Sequence, residues 1–266
     1  MIQKLALEIK PYKSIFRVAG ILRSLSEGVN TVTEIANHHH LSKSTVSRLL
    51  QALEESNLAI QDPTSRKFYL GNLITQIFAN PKTAHMDLVL QAIDEMKHLN
   101  ELTGETVFLS VIVGIQYIRL NEITSKQELR VSVEGCDLTG PQFVGATAKV
   151  LLSQLNSQAL KLAMKYYNSA RTPHDSLNDA ESFLAQLKQI KRQGYAISYG
   201  ERILGSISIS APIKNYTFPA ALSIVGPDIR LKTKKDDLTA NLTKSAWFIS
   251  NNIADYMKVN ARRFSK

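Results

Sequence analysis

The sequence is poor in cysteine, since Cys136 is the single one among 266 residues. One thiol cannot form an intramolecular disulfide, and it cannot supply the several sulfur ligands of a structural zinc site. A chain of this kind suits a reducing compartment. Glu134 and Asp137 flank Cys136 and no basic residue adjoins it, so nothing in sequence lowers the pKa of the thiol. We interpret Cys136 as an ordinary buried or partly buried thiol rather than a redox centre.

Long hydrophobic runs are also lacking. The longest, Val107–Ile115, is interrupted by Ser110, and it falls far short of the roughly 20 residues needed to cross a bilayer. The segment Met1–Lys10 carries three charged residues and no uninterrupted apolar core, so it does not read as a secretory signal. We expect a cytoplasmic protein with no membrane partner.

Catalytic and phosphate-binding motifs are missing. The chain has no Gly-x-Ser-x-Gly, no His-Glu-x-x-His, no phosphate loop ending in Gly-Lys-Ser/Thr and no Gly-x-Gly-x-x-Gly. The run His38-His39-His40 invites a metal hypothesis, but successive helical side chains point about 100° apart and cannot share one ion. Lys149 follows an apolar stretch and is interpreted as a helix-surface lysine rather than a catalytic amine. We predict a protein that is not an enzyme and has no metal or cofactor.

Acidic residues are fewer than basic ones. Asp plus Glu number 23 against 32 Lys plus Arg, which gives a formal net charge of +9. This surplus favours a polyanionic partner such as nucleic acid or an anionic membrane surface. The first 72 residues hold nine basic and six acidic residues, so most of the surplus lies beyond them. The basic run Arg230–Lys235 is interpreted as a solvated loop, with contact to DNA or a membrane as the alternative.

The first seventy residues begin with two helical patterns. Apolar residues recur at helical spacing between Ser14 and Ser26, and Gly28 is placed to end that helix in a left-handed cap. The segment Thr31-Val-Thr-Glu34 is a capping box, in which each of the two end side chains binds the other residue's backbone amide. A short second helix is predicted to start there.

A third helix is predicted to begin at Ser42, whose hydroxyl can cap free amides while Leu41 packs on Val46 as a hydrophobic staple. At helical spacing the apolar stripe comprises Val46, Leu49, Leu50 and Leu53. The opposite face carries Ser44, Ser47, Arg48 and Gln51. Arg can read guanine bidentately and Gln can read adenine. Two short helices around a tight turn match a helix-turn-helix, whose second helix enters the major groove; a merely solvated face is the alternative.

Two short strands follow. The segments Leu58–Gln61 and Phe68–Gly71 read as a hairpin around the turn-forming stretch Asp62–Lys67. This hairpin is the expected wing, and basic residues at its tip are placed to contact phosphate. The predicted DNA-binding residues of the helix and the wing are Lys43, Ser44, Thr45, Ser47, Arg48, Gln51, Arg66 and Lys67.

These residues resemble a known family. The run Leu41-Ser-Lys-Ser-Thr-Val-Ser-Arg-Leu-Leu-Gln-Ala-Leu53 is similar to the Pro-Lys-Ser-Thr-Val-x-Arg-Leu-Leu of the IclR family of bacterial regulators, and Tyr69-Leu-Gly71 is close to the family's wing ending. Further similar segments follow in the family's order: Glu101-Leu-Thr-Gly-Glu-Thr-Val107, Gly194-Tyr-Ala196, Ser210-Ala-Pro-Ile213 and Ala221-Leu-Ser-Ile-Val-Gly-Pro227. The resemblance covers about Ser14 to the C-terminus. It implies a transcriptional regulator whose second domain is a GAF-like effector-binding domain.

The remaining chain reads as an α+β unit. An amphipathic helix from Met86 ends near Gly104. Strands are predicted at Val107–Val113, Tyr117–Ile123, Leu129–Val133, near Tyr195, at Ile203–Ile213 and at Ala220–Val225, and helices at Thr147–Tyr167 with a break, Asp179–Arg192 and Asp236–Val259. This order suggests helices packed on a mainly antiparallel sheet. The predicted domains are a winged helix-turn-helix over 1–72, a linker with its connecting helix over 73–104 and a GAF-like effector-binding domain over 105–266.

The expected effector site lies where a turn that opens a helix meets serine-bearing strands. Its predicted residues are Gly145, Ala146, Thr147, Ser198, Ser206, Ser208 and Ser223. Free amides at a helix N-terminus attract an anion, and nearby hydroxyls can orient a carboxylate or polyol. Such a pocket suits a small organic acid or sugar acid, which the family resemblance also implies. Departures from the family pattern fall in the same place, at Pro141–Val150 and at Ile207-Ser208.

Three hypotheses remain open about function. The chain is a DNA-binding regulator that responds to a small molecule, a ligand-independent DNA-binding regulator, or an enzyme with a DNA-binding appendage. Because one recognition helix reads few bases, we expect a homodimer that can pair further to a tetramer. The helix from Met86 and the segment Ser14–Leu25 are the expected dimer contacts, the former by its apolar stripe and both by family resemblance.

Overall fold

The computed structural model describes residues 13–79, 81–113, 116–132, 143–169 and 180–264. In chain order the elements are α1 (Lys13–Ser26), α2 (Val32–His38), α3 (Lys43–Glu55), β1 (Ala59–Gln61), β2 (Phe68–Leu70), α4 (Asn72–Phe78), α5 (Pro81–Ala84), α6 (Met86–Thr103), β3 (Thr106–Val113), β4 (Gln116–Ile123), α7 (Ala146–Ser153), α8 (Ser157–Ser169), α9 (Ala180–Gln193), β5 (Ala196–Tyr199), β6 (Ser206–Ile213), β7 (Ala220–Pro227), α10 (Asp228–Leu231) and α11 (Lys235–Phe264). They form two compact units, Met1–Ala84 and His85–Lys266.

In the first unit, α1, α2, α3 and the β1–β2 hairpin enclose one apolar core. Its buried members are Ile21, Leu25, Ile35, Ala36, Val46, Leu50, Leu53, Ala59 and Phe68. Gly28 follows α1 with a φ of +86°, the predicted left-handed value. Both halves of the capping box are present, because the Thr31 N–H donates to Glu34 Oε2 at 3.1 Å and the Glu34 N–H donates to Thr31 Oγ1 at 3.2 Å. The predicted helix-turn-helix is confirmed.

The wing turn is held by one carboxylate. Asp62 Oδ1 accepts the Thr64 N–H at 2.9 Å, and Asp62 Oδ2 accepts the Ser65 hydroxyl. These bonds lower the pKa of Asp62, the Ser65 hydroxyl contributing most. The Gln61 N–H donates to Glu54 Oε1 at 3.2 Å, which ties the wing to α3. The hairpin therefore has a fixed attachment to the helix that precedes it.

The second unit is a five-stranded antiparallel sheet with helices on both faces. The strand order is β4-β3-β7-β6-β5. On one face α6 and α11 pack on alternate strand residues such as Val107 and Leu109 of β3 and Leu222 of β7. On the other face α7, α8 and α9 pack with Ile112 and Ala221, which point the opposite way from the same strands. The α+β class is confirmed, while the comparison with GAF domains stays a prediction.

One predicted strand, Leu129–Val133, is wrong over its described residues. Residues 129–132 form no strand, and Val133 lies outside the described residues. The carbonyls of this segment bind side chains instead of a neighbouring strand, since Leu129 O accepts Arg230 Nη2 at 2.8 Å and Val131 O accepts Thr106 Oγ1 at 2.6 Å. Alternating apolar residues therefore occur here in a segment without a partner strand.

The basic run is a loop only in its middle, where residues 232–234 form an exposed turn. Arg230 lies in α10, and Lys235 begins α11. The Arg230 guanidinium forms a two-bond ion pair with Glu105, at 2.7 and 2.9 Å. The solvated-loop interpretation is therefore wrong for Arg230, which a carboxylate distant in sequence holds in place, and fits the exposed turn that follows.

The helix α6, assigned from sequence to the connecting segment, belongs by its packing to the second unit. Its buried side chains, Leu88, Ala92, Met96 and Leu99, join the core that α11 shares with the sheet. The helix ends at Gly104, whose φ of +71° is left-handed. Among the described residues, no helix combines the length and apolar character needed to cross a membrane.

Candidate nucleic-acid interface and ligand pocket

The face of α3 that was predicted to contact DNA is exposed. Lys43, Ser44, Ser47, Arg48 and Gln51 are exposed, and Thr45 is half-buried. The Ser42 Oγ accepts the Thr45 N–H at 3.2 Å and lies 3.0 and 2.8 Å from the hydroxyls of Ser44 and Thr45. The start of α3 is thus a cluster of hydroxyls, and its middle presents one guanidinium and one amide.

Arg48 and Gln51 differ in whether another side chain of the protein binds them. Gln51 Nε2 donates to Glu55 Oε1 at 3.3 Å, one helical turn on. Within the described parts of the chain, no carboxylate forms an ion pair with Arg48. The guanidinium is therefore available to a ligand without first leaving an internal partner.

The two basic residues of the wing lie at its tip. Arg66 adopts a left-handed φ of 59°, and its carbonyl accepts Gln61 Nε2 at 3.1 Å. Both Arg66 and Lys67 are exposed. Because side-chain hydrogen bonds fix the turn, Arg66 and Lys67 project from a backbone of defined conformation.

The three histidines of the run His38-His39-His40 differ in burial. His38 and His40 are exposed, whereas His39 is half-buried. His39 Nε2 lies 2.8 Å from the Ser24 hydroxyl, and its ring faces Gly20 so closely that a Cβ there would lie 2.9 Å from it. Burial lowers the pKa of His39. His39 therefore serves to join α2 to α1; within the described part of the chain no three His, Cys, Asp or Glu residues gather as metal ligands, and Cys136 lies outside that part.

In the second unit, a small pocket lies between the start of α7, the β5–β6 turn and the sheet. It encloses about 40 Å³ and is lined by Phe108, Tyr117, Val144, Gly145, Ala146, Thr147, Ser198, Glu201, Arg202, Ile203, Ser206, Ser208 and Val225. Six of the seven residues predicted from sequence are in this lining. The structure thus brings together residues that are about 50 positions apart in the chain.

The seventh residue, Ser223, lies in a ring of hydroxyls instead. Thr147 Oγ1 is 3.0 Å from Ser223 Oγ and 3.1 Å from Ser210 Oγ, and the two serine oxygens are 2.8 Å apart. All three residues are buried. Each hydroxyl can donate once around the ring, so these groups satisfy one another and hold α7 on β6 and β7.

Two amides at the start of α7, those of Gly145 and Ala146, are not free, which corrects part of the physical argument made from sequence. The Gly145 N–H donates to Glu201 Oε2 at 3.0 Å, and the Ala146 N–H donates to Ser198 Oγ at 3.1 Å. Sequence reasoning could not find this, because Glu201 lies 56 residues beyond Gly145. An internal carboxylate already occupies the position expected for a ligand anion.

Lys149 is not a surface lysine. It is 8% exposed, and its Nζ lies 2.8 Å from Glu201 Oε1. Glu201 therefore binds the helix start with one oxygen and the buried ammonium with the other. The helix-surface interpretation fails because α7 is covered by the sheet on one side and by α9 on the other, so every residue of Ala146–Ser153 is buried.

Two charged residues of the pocket were missed from sequence, Glu201 and Arg202. Both lie in the turn between β5 and β6 and are exposed residues, although the Glu201 side chain itself is 27% exposed. The Arg202 guanidinium donates through Nη1 to the Tyr117 hydroxyl of β4. The only local signal was a charged pair directly after a predicted strand, which by itself does not indicate a site.

Comparison with known proteins gives the same division. The model of the IclR helix-turn-helix domain matches residues 14–63, and that of the IclR C-terminal domain of bacterial transcriptional regulators matches residues 82–251. The chain is 29% identical over 248 residues to the HTH-type transcriptional regulator KdgR of Dickeya chrysanthemi, covering 92% of this chain and 79% of that protein. It is 28% identical over 233 residues to the HTH-type transcriptional regulator TtgV of Pseudomonas putida, covering 87% and 88%.

Solved structures share the fold. An IclR-family regulator from a Rhodococcus species matches with a TM-score of 0.67 at 23% identity, covering 94% of this chain and 96% of that one. The IclR protein of Thermotoga maritima matches with a TM-score of 0.57 at 20% identity, covering 91% and 98%. At these identities the similarity is evidence for the fold alone.

Proposed function

The chain belongs to the IclR family of bacterial transcriptional regulators, and from this premise we propose how its parts divide the task. It is a DNA-binding regulator and not an enzyme. In our proposal residues 1–72 bind the operator, residues 105–266 bind a small acidic metabolite, and residues 73–104 connect them in the cytoplasm, with α6 of this connector packed on the second unit. The metabolite changes operator affinity only to the extent that it binds two conformations unequally.

The observation that carries the DNA part of the proposal is the exposed polar face of α3. Its back is fixed by buried Val46 and Leu50, and its start is fixed by the Ser42 cap. Arg48 then reads a base edge in the major groove, while Lys67 of the wing contacts phosphate. The proposed DNA contacts are Lys43, Ser44, Thr45, Ser47, Arg48, Gln51, Arg66 and Lys67.

The effector part rests on the pocket beside α7. Ser198 and Ser208 line the same small space as the apolar residues Phe108 and Val225. A site with a few polar groups on an apolar wall is typical of small-molecule binding. A space of about 40 Å³ holds on the order of three water molecules, which favours a small organic acid. The proposed effector-binding residues are Gly145, Ala146, Thr147, Ser198, Ser206, Ser208 and Ser223, the last acting through the hydroxyl ring.

A ligand-independent regulator is the second candidate, and one observation favours it. Glu201 binds both the Gly145 N–H and the Lys149 ammonium. A chain that supplies its own anion at this position has less need of a metabolite there. The two candidates differ in whether any small molecule changes operator affinity.

We propose a homodimer that can pair further to a tetramer. On α1, Ile15 and Phe16 are 64% and 50% exposed, and on α6, Met86 and Leu90 are 45% and 65% exposed. Large apolar side chains at such exposure are candidates for contacts between copies. Light scattering at micromolar concentration checks this, and a monomeric mass with and without DNA would contradict it.

The experiment that tests the proposed function is selection of bound fragments from the source genome by the full chain, followed by sequencing. A regulator enriches a shared, two-fold symmetric sequence, and its affinity for that sequence exceeds its affinity for random DNA of equal length by at least about a thousandfold. Enrichment of no common sequence would contradict specific binding.

A further inference from the structure

The charged side chains around the pocket differ in whether another group of the protein already binds them. Glu201 accepts the Gly145 N–H and binds the Lys149 ammonium, so each of its carboxylate oxygens already has a partner. One cation of the pocket, Lys149, is thereby neutralised by an internal anion. The other cation, Arg202, has no carboxylate partner among the residues that the structure describes.

Arg202 is held at the pocket by its backbone and by its side chain. The turn that carries it is closed by the Gly200 N–H, which donates to Ser206 O at 2.8 Å, and by the Ser206 hydroxyl, which donates to Ile203 O at 2.6 Å. The Tyr117 hydroxyl accepts one guanidinium N–H. A guanidinium has five N–H donors, so most remain for a ligand.

We infer that Arg202, rather than the Gly145 amide and the Lys149 ammonium that Glu201 already binds, is the group that binds the charged end of an acidic effector. This inference rests on the proposed effector function of the same pocket. The other end of the ligand then faces the hydroxyls of Ser198 and Ser208, against the apolar wall of Phe108 and Val225. Arg202 thus selects for a carboxylate, and the serines select for a hydroxyl or carbonyl oxygen near it.

The alternative is that the ligand carboxylate displaces Glu201 from α7. That exchange replaces one carboxylate by another at Gly145 and Lys149, so it gains no new charged contact. It also moves the Glu201 side chain, which is 27% exposed, away from a buried ammonium. Binding at Arg202 requires no such exchange, which is why we favour it.

The test uses the full chain and small acids as probes: acetate, glycolate, lactate and pyruvate, with acetamide and lactamide as their neutral counterparts. Binding is measured by isothermal titration calorimetry at pH 7 for the wild type, Arg202→Gln, Arg202→Lys and the control Arg192→Gln. Arg192 is an exposed arginine near the end of α9, outside the pocket lining. Unliganded melting temperature and operator affinity confirm that each variant is folded.

We expect at least one acid to bind the wild type and to bind Arg202→Gln at least about tenfold more weakly, because a charge-assisted contact is lost. Arg202→Lys falls between, and Arg192→Gln equals the wild type. If an acid binds Arg202→Gln as tightly as the wild type, the role of Arg202 is refuted while the effector function stands. If no probe acid binds the wild type, the effector function itself fails and this inference falls with it.

Discussion

Glu201 binds two groups at the start of α7, the Gly145 N–H and the Lys149 ammonium. Its carboxylate lies 2.8 Å from the ammonium of Lys149, whose side chain is 10% exposed, and its other oxygen accepts the Gly145 N–H at 3.0 Å. Replacing Glu201 with Ala leaves a buried ammonium without its anion and a helix-start amide without its acceptor. We therefore predict that Glu201→Ala destabilises the second unit.

The size of the effect follows from burial. Removing one partner of a fully buried ion pair costs about 3 to 5 kcal/mol. Because the Glu201 side chain is 27% exposed, water screens part of this, and about 1 to 3 kcal/mol is the better expectation. The orphaned amide adds about 1 kcal/mol. At the size of this unit the total, roughly 2 to 4 kcal/mol, lowers the melting temperature by roughly 5 to 15 °C.

The assay can follow the second unit alone, because Trp247 in α11 is the chain's single tryptophan. Its fluorescence is recorded during thermal unfolding of the wild type, Glu201→Ala, Lys149→Met and the double variant. Glu201→Gln keeps an acceptor for the Gly145 amide and loses only the charge, so it should cost less than Glu201→Ala. A coupling energy between Glu201 and Lys149 of less than about 0.5 kcal/mol would refute the reasoning, since independent sites add to within that amount.

Four further predictions concern other parts of the chain. Arg48→Ala should weaken operator binding by about 1 to 3 kcal/mol and leave random DNA unaffected; equal loss on both in an anisotropy titration would mean a phosphate contact. Lys67→Ala should weaken binding to all sequences and reduce the salt slope by about one unit, and an unchanged slope would remove the wing from the interface. Ser208→Leu should fill the pocket and abolish acid binding in calorimetry while operator binding stays intact; retained acid binding would place the ligand elsewhere. Because burial holds the pKa of His39 below the ordinary 6.5, the unfolded chain binds the proton more readily, so the first unit should lose stability as pH falls below about 6.5; amide exchange in α1 measures this, and His39→Gln should flatten the dependence.

The first unit could be predicted from sequence because its signals act over a few residues. The capping box joins Thr31 to Glu34, and the cap of α3 joins Ser42 to Thr45. Such bonds depend on spacing along one helix turn, which the sequence states directly. The segment at Leu129 shows the limit, because its alternating apolar residues describe a strand equally well until Arg230 and Thr106 are known to take its carbonyls.

The pocket shows a second limit of prediction from sequence. A glycine before a helix and serines on strands predicted where polar groups gather, since both signals are local. Whether those groups were free depended on Glu201, and no spacing rule connects a residue in one turn with a helix start 56 positions earlier. The same carboxylate reversed the interpretation of Lys149, which is buried only because an anion accompanies it. Sequence could therefore predict where these residues gather, whereas the cation that we propose for the ligand, Arg202, follows only from which cation is left without an internal carboxylate partner among the described residues.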